Sequence, residues 1–127
     1  MENPIVDKIL KEGINSVNLT MLDEKARKGI LTDAGEKLYK KGRIMEAISL
    51  LEKAGDIERL AKLGDLFFSE GKNELAAICL IPVKDKEKLN KVAVKCIEAK
   101  NYRLASEAFE AADNKHMAEF IRSNFAE

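Results

Sequence analysis

The stretch from Leu60 to Val83 reads LAKLGDLFFSEGKNELAAICLIPV. Leu60, Leu63, Gly64 and Phe67 recur at helical spacing, Gly71-Lys72 interrupts them, and Ala76, Leu80 and Val83 resume the pattern. This predicts two short amphipathic helices joined by a turn. The same pattern stands 29 positions earlier as Leu31, Ala34, Gly35, Leu38, Ala47, Leu51 and Ala54. It stands again 29 positions later as Leu89, Val92, Ala93, Cys96, Ala105, Phe109 and Ala112. Self-similarity at a fixed period of this size is the mark of a repeat architecture.

Each repeat boundary carries a residue with a mechanism. Gly42 and Gly71 fall where the first helix of a pair must turn, and glycine accepts the left-handed conformation common at helix C-termini. Lys100-Asn101 occupies that place in the third copy, with Asn expected to supply the turn. Asp56, Asp85, and Asp113 or Asn114 open the following pairs as N-caps, since a short side-chain oxygen accepts from otherwise unpaired helix N–H groups. Ala47, Ala76 and Ala105, with Gly35, Gly64 and Ala93, are small enough to let two helix backbones approach, while Leu38, Phe67, Leu51, Leu80 and Phe109 fill the space beside them. One pair cannot bury such a face alone, so pairs must stack. The expected fold is all-α, a right-handed stack of antiparallel helical hairpins with about nine helices.

Outside the regular copies the pattern weakens. Ile9-Leu10-Lys11-Glu12-Gly13 matches Leu38-Tyr39-Lys40-Lys41-Gly42, so a degenerate copy opens the chain. Its second helix is expected from about Asn15 to Lys28, with Leu19, Leu22 and Ala26 on one side and Ile14, Val17 and Met21 on nearly the opposite one. These last three either pack inside the stack or form an exposed contact for a homodimer. The last helix, about Asn114 to Phe125, sets Met117, Phe120, Ile121 and Phe125 against a polar back of Lys115, Glu119, Arg122 and Ser123, as a capping helix should. The expected organisation is a single domain over residues 1–127: a degenerate pair at 1–29, repeats at 30–55, 56–84 and 85–112, and a cap at 113–127.

Composition narrows the function. Among 127 residues, 46% are hydrophobic and 35% charged, with only two prolines, which favours a helical soluble protein. Lys plus Arg and Asp plus Glu are equal at 22 each, so no electrostatic grip on nucleic acid or an anionic membrane is expected. Neither a leader-like start nor a run of about 18 apolar residues is present, making a cytoplasmic protein the expectation. His116 is the only histidine, and Cys79 and Cys96 have neither metal nor redox spacing, so no metal, cofactor or catalytic residue is expected and both thiols read as packing residues. The glycines are isolated at repeat-spaced sites rather than gathered in a phosphate loop. Lys88, Lys91 and Lys95 share a helix face, a solvated surface or a contact for an acidic partner.

Leu63-Gly64-x2-Phe67…Ala76-x3-Leu80-x2-Val83 resembles the tetratricopeptide repeat, W-x2-L-G-x2-Y…A-x3-F…P, with Leu60 in the tryptophan place. The likeness covers about Leu31 to Ala112. The copies here are 29 residues, against about 34 in the family, and lack its closing proline. The short copies are also similar to helical regions of coatomer-type and intraflagellar-transport subunits. The tetratricopeptide resemblance implies a superhelical α-solenoid that binds a protein or peptide in the groove lined by its first helices. On those helices a second stripe consists of Thr32, Glu36 and Tyr39, then Ala61, Asp65 and Phe68, then Asn90, Val94 and Ile97, with Lys62 and Lys91 beside it. Tyr39, Phe68 and Ile97 would be its apolar anchors, or else ordinary packing between helices. Lys62, Lys91 and Asn90 resemble the carboxylate clamp of chaperone-binding family members, but Glu36 and Asp65 bring negative charge to the same groove, so that clamp is not expected. The expected function is a non-enzymatic scaffold binding a partner; the other reading is a self-assembling or coat-complex-like structural subunit.

Overall fold

Asn3 opens the first helix: its Oδ1 accepts from the amide of Ile5 at 2.8 Å, and Pro4 follows at a position where no amide is needed. The computed structural model describes residues 3–125, in which eight α-helices and one 3-10 turn are found and no strand. The helices are α1 (Pro4–Glu12), α2 (Glu24–Lys40), α3 (Ile44–Ala54), α4 (Ile57–Ser69), α5 (Asn73–Leu80), α6 (Lys86–Glu98), α7 (Tyr102–Ala111) and α8 (Lys115–Phe125). The chain is all-α. It divides into two compact units, Met1–Ile57 and Glu58–Glu127.

In the first unit, Val6 and Ile9 of α1 are buried against Leu31, Ala34 and Leu38 of α2 and Ala47 and Leu50 of α3. The helices α2 and α3 approach closely at Gly35, where a Cβ would lie 3.3 Å from both the Ala47 carbonyl oxygen and the Leu51 side chain. The helix expected from Asn15 to Lys28 does not form, which is why eight helices stand where about nine were expected. Local side chains satisfy the backbone in its place. Ile14–Ser16 makes a single 3-10 turn, Ser16 Oγ donates to the Gly13 carbonyl at 2.6 Å, and Asn18 Oδ1 accepts from the Thr20 amide and hydroxyl at 3.0 and 2.7 Å. Short polar side chains that bond to nearby backbone compete with the helix ladder, and Asn15, Ser16, Asn18, Thr20 and Asp23 crowd one short segment. Helix resumes only where Asp23 caps it, accepting from the Ala26 amide at 2.8 Å. The first helix of the Leu31 copy therefore begins at Glu24, ahead of the expected boundary.

In the second unit the same close approach is tighter. A Cβ on Gly64 would lie 2.6 Å from Leu80 Cγ, so α4 and α5 meet with no room for one. The corresponding residues of the next hairpin, Ala93 and Phe109, are both buried.

Left-handed backbone recurs in the 29-residue register. Gly13, Gly42, Gly71 and Lys100 have φ of 93°, 80°, 75° and 63°, and a second series, Gly55, Lys84 and Asp113, has 68°, 66° and 61°. After the first series the next amide reaches back to close the helix: Arg43 donates to the Leu38 carbonyl at 3.0 Å, Lys72 to Phe67 at 2.8 Å, and Asn101 to Cys96 at 2.9 Å. In the third copy Lys100, rather than Asn101, takes the left-handed place, because Asn101 is already the cap of α7, accepting from the Leu104 amide at 3.1 Å. Likewise Asn114, rather than Asp113, caps α8 through the Met117 amide at 3.3 Å. A lysine in this conformation costs about 1–2 kcal/mol, part of which glycine returns as chain entropy. Lys100→Gly should therefore raise stability by about 0.5–1 kcal/mol, read as an increased urea midpoint; an unchanged or lower midpoint would count against the strain.

Candidate partner-binding surface

The stripe predicted on the first helices divides by environment. Thr32 of α2 is half-buried, and its Oγ1 donates to Asp56 Oδ2 at 3.0 Å. In the second unit the equivalent bond recurs, Asn114 Nδ2 donating to Asn90 Oδ1 at 3.0 Å. Both bonds tie a first helix to the residue that opens the next pair, so Thr32 and Asn90 have a structural role of their own. Ala61 holds the same register position in α4 with no polar atom to offer. Tyr39 is partly buried and packs against the core of the first unit. Glu36 is half-buried one turn before it on α2.

On α4 and α6 the surface is more open. Asp65 accepts from Lys88 Nζ at 2.9 Å across the two helices, and this hydrogen bond is the main reason the Lys88 ammonium holds its proton above the usual lysine range. Lys62 pairs with Glu58 at 3.4 Å and Lys91 with Glu87 at 3.3 Å, each one turn away on its own helix. Such exposed pairs add little stability. Lys95 pairs with Glu98 as well, so each member of the basic run has a local carboxylate and the face is not a free cationic patch. Phe68 and Ile97 are half-buried, and Val94 is 47% exposed.

Ile14, Val17 and Met21 do not share a helix face. Ile14 and Val17 lie against the core of the first unit, while Met21 is 92% exposed on the following turn. Their separation follows from the loss of the helix that was to carry them.

Cys79 and Cys96 are fully buried and unbridged. Burial pushes the Cys79 thiol up to about 12; burial, with the nearby Glu74 charge adding, pushes Cys96 up to about 11. Thiols so protonated are poor nucleophiles. No group of three or more potential metal-binding side chains occurs among the described residues. None of the described helices is long and apolar enough to cross a membrane.

One surface had no counterpart in the predicted stripe. A cleft of about 480 Å³ is bordered by Tyr102, Arg103 and Ser106 of α7 and Ile121, Arg122 and Phe125 of α8. Tyr102 and Phe125 stack with ring centroids 4.4 Å apart and planes 11° from parallel, and Phe120 meets Phe125 edge-on at 6.5 Å. The signal was available in the register, because Tyr102 and Phe125 stand 29 residues after Asn73 and Cys96.

No family model, curated protein or solved structure matches the chain. The resemblance to the tetratricopeptide repeat therefore rests on the spacing of this chain's own residues.

Proposed function

We propose that the chain is a short, tetratricopeptide-like helical-repeat scaffold that binds a protein or peptide along its first helices, with α4 and α6 contributing the apolar contact. The observation that carries this reading is Val94, an aliphatic side chain 47% exposed on α6, the helix that also carries Lys88 of the Asp65–Lys88 bridge and the half-buried Ile97. Apolar groups surrounded by polar ones are the usual anatomy of a contact centre and its rim. The partner best suited is an extended or helical segment that places an apolar side chain on Val94, Phe68 and Ile97 and polar groups beside Asp65 and Lys91. Catalysis is not needed to account for any of these residues. The scaffold would act inside the cell as an adaptor.

Val94→Glu tests the reading. An exposed substitution of this kind changes folding stability by no more than about 0.5 kcal/mol, whereas a carboxylate at the centre of an apolar contact must be desolvated. Proteins recovered with the wild-type chain from its own cells should be lost with the variant while the melting temperature stays within about 2 °C. Equal recovery by the two forms would remove this surface from consideration.

A further inference from the structure

We propose that the Val94 contact, on which this reading rests, continues across the seam between α6 and α8 and is made by an amphipathic helix of a partner protein lying along Met117, Phe120, Val94 and Ile97. The 29-residue register holds into α8: its cap Asn114 answers to Asp85, the cap of α6, and Ala118 and Ile121 are buried as Leu89 and Val92 are. The Asn90–Asn114 hydrogen bond joins the two helices near their openings. Between α4 and α6 the equivalent seam is polar, with Asp65 bridged to Lys88 and with Lys91 exposed one turn on. One copy further the same three places hold Val94, Met117 and Phe120, and one copy earlier they hold Glu36, Arg59 and Lys62. An acid and two bases have thus given way to three apolar side chains. Val94 is 47% and Phe120 53% exposed, while Met117 and Ile97 are half-buried.

Spacing and backbone chemistry select a helix. Through the register Met117 and Phe120 stand level with Lys88 and Lys91 of α6, so the four apolar residues rise in steps of three, about 4.5 Å each and about 13.5 Å in all. Apolar residues at i, i+4 and i+7 of a helix share one face over about 10.5 Å and fit this line. An extended segment would bring unpaired amides and carbonyls against apolar side chains that cannot pair with them, which a helix avoids by bonding its own backbone. Charge complementarity sets the flanks. On α6, Lys91 is paired with Glu87 at 3.3 Å and Lys95 with Glu98 at 3.4 Å. On α8, Ser123 and Asn124 are uncharged, and Asn124 donates to the Phe120 carbonyl at 2.9 Å. Lys115 and Glu119 each stand two residues from Met117, about 200° around the helix and so away from the seam. With no net charge to answer, the occupant needs an apolar face between edges that are uncharged or internally paired.

The test uses the full chain and a synthetic alanine-based peptide of about 18 residues, with glutamine at its edges and leucine at i, i+4 and i+7, labelled for fluorescence anisotropy. Its control has the same composition with the leucines scattered around the helix. The striped peptide should bind about tenfold more tightly than the control, and raising salt should change its affinity by less than about twofold. Phe120→Ser on α8 and Val94→Ser on α6 should each weaken it by about tenfold, with circular dichroism and melting confirming the fold of each variant. Weakening by Val94→Ser alone would overturn the extension onto α8 and leave the Val94 contact standing, whereas indifference to both substitutions would remove the two together. Equal affinity for the two peptides, or binding of neither, would overturn the helical partner. So would sedimentation showing a dimer of the chain that Phe120→Ser dissociates.

Discussion

Replacing Leu80 by Ala should lower the unfolding free energy by about 2–5 kcal/mol, because the side chain is 2% exposed and its loss leaves a cavity that two close helices cannot collapse. Gly64→Ala should cost about 1–3 kcal/mol for the opposite reason: the new Cβ would stand 2.6 Å from Leu80 Cγ, an atom near the root of a buried side chain that has nowhere to swing. These two effects share one space. With Leu80 truncated, the Cβ at position 64 meets nothing it must displace, so the double variant should lose clearly less than the sum of the singles. A double-mutant cycle by urea denaturation reads the coupling directly, and strict additivity would mean that α4 and α5 do not approach as closely as their backbones require. Ala93 indicates how the same contact is relaxed one hairpin on, where Phe109 in place of Leu80 accepts a residue with a Cβ.

Stability should fall steeply in alkali. The two buried thiols keep their protons to about 12 and about 11, above the usual value near 9, because burial penalises the thiolate. A proton held more tightly in the folded state than in the unfolded one contributes stability that is complete below the unfolded pKa. That contribution is lost as pH rises from about 9 toward the folded values, where the unfolded chain alone ionises, at about 1.4 kcal/mol per pH unit for each thiol. Between pH 8 and pH 10.5 each cysteine should thus remove roughly 2 kcal/mol. Urea midpoints at the two pH values give the loss. The same comparison on Cys79→Ala/Cys96→Ala, which begins less stable for want of the two sulfurs, should show most of the slope gone. A slope as steep in the double variant would assign the alkaline loss to other groups.

The spacing of Leu60, Gly64, Phe67, Ala76 and Leu80, repeated every 29 residues, was enough to place the paired helices from α2 through α7, and the small residues at 35, 64 and 93 marked where helices would meet. Such features are local: periodicity fixes which face of a helix is apolar, and a missing Cβ fixes where a backbone can approach. Gly42, Gly55 and Gly71 could be read as turns on the same terms, since their conformation follows from their own chemistry. Lys84, Lys100 and Asp113 could not. Nothing in a lysine favours positive φ, and an aspartate merely tolerates it better than most residues, so each adopts it because the helices on either side must reverse there.

The segment 13–23 shows the limit most clearly. Its apolar residues have helical spacing, yet Ser16, Asn18 and Asp23 bond to nearby backbone and leave a turn and a loop, with Ile14 and Val17 on the core and Met21 in solvent. Whether side-chain oxygens or the helix ladder win the backbone amides is a contest of about 1 kcal/mol per bond, small enough for the packing of Ile14 and Val17 against the core of the first unit to tip it. The stripe on the first helices was equally legible as a pattern. Only three-dimensional placement separates Thr32 and Asn90, bonded to the openings of the following pairs, from Val94, which faces water, because residues at one spacing differ in what the neighbouring helix brings against them.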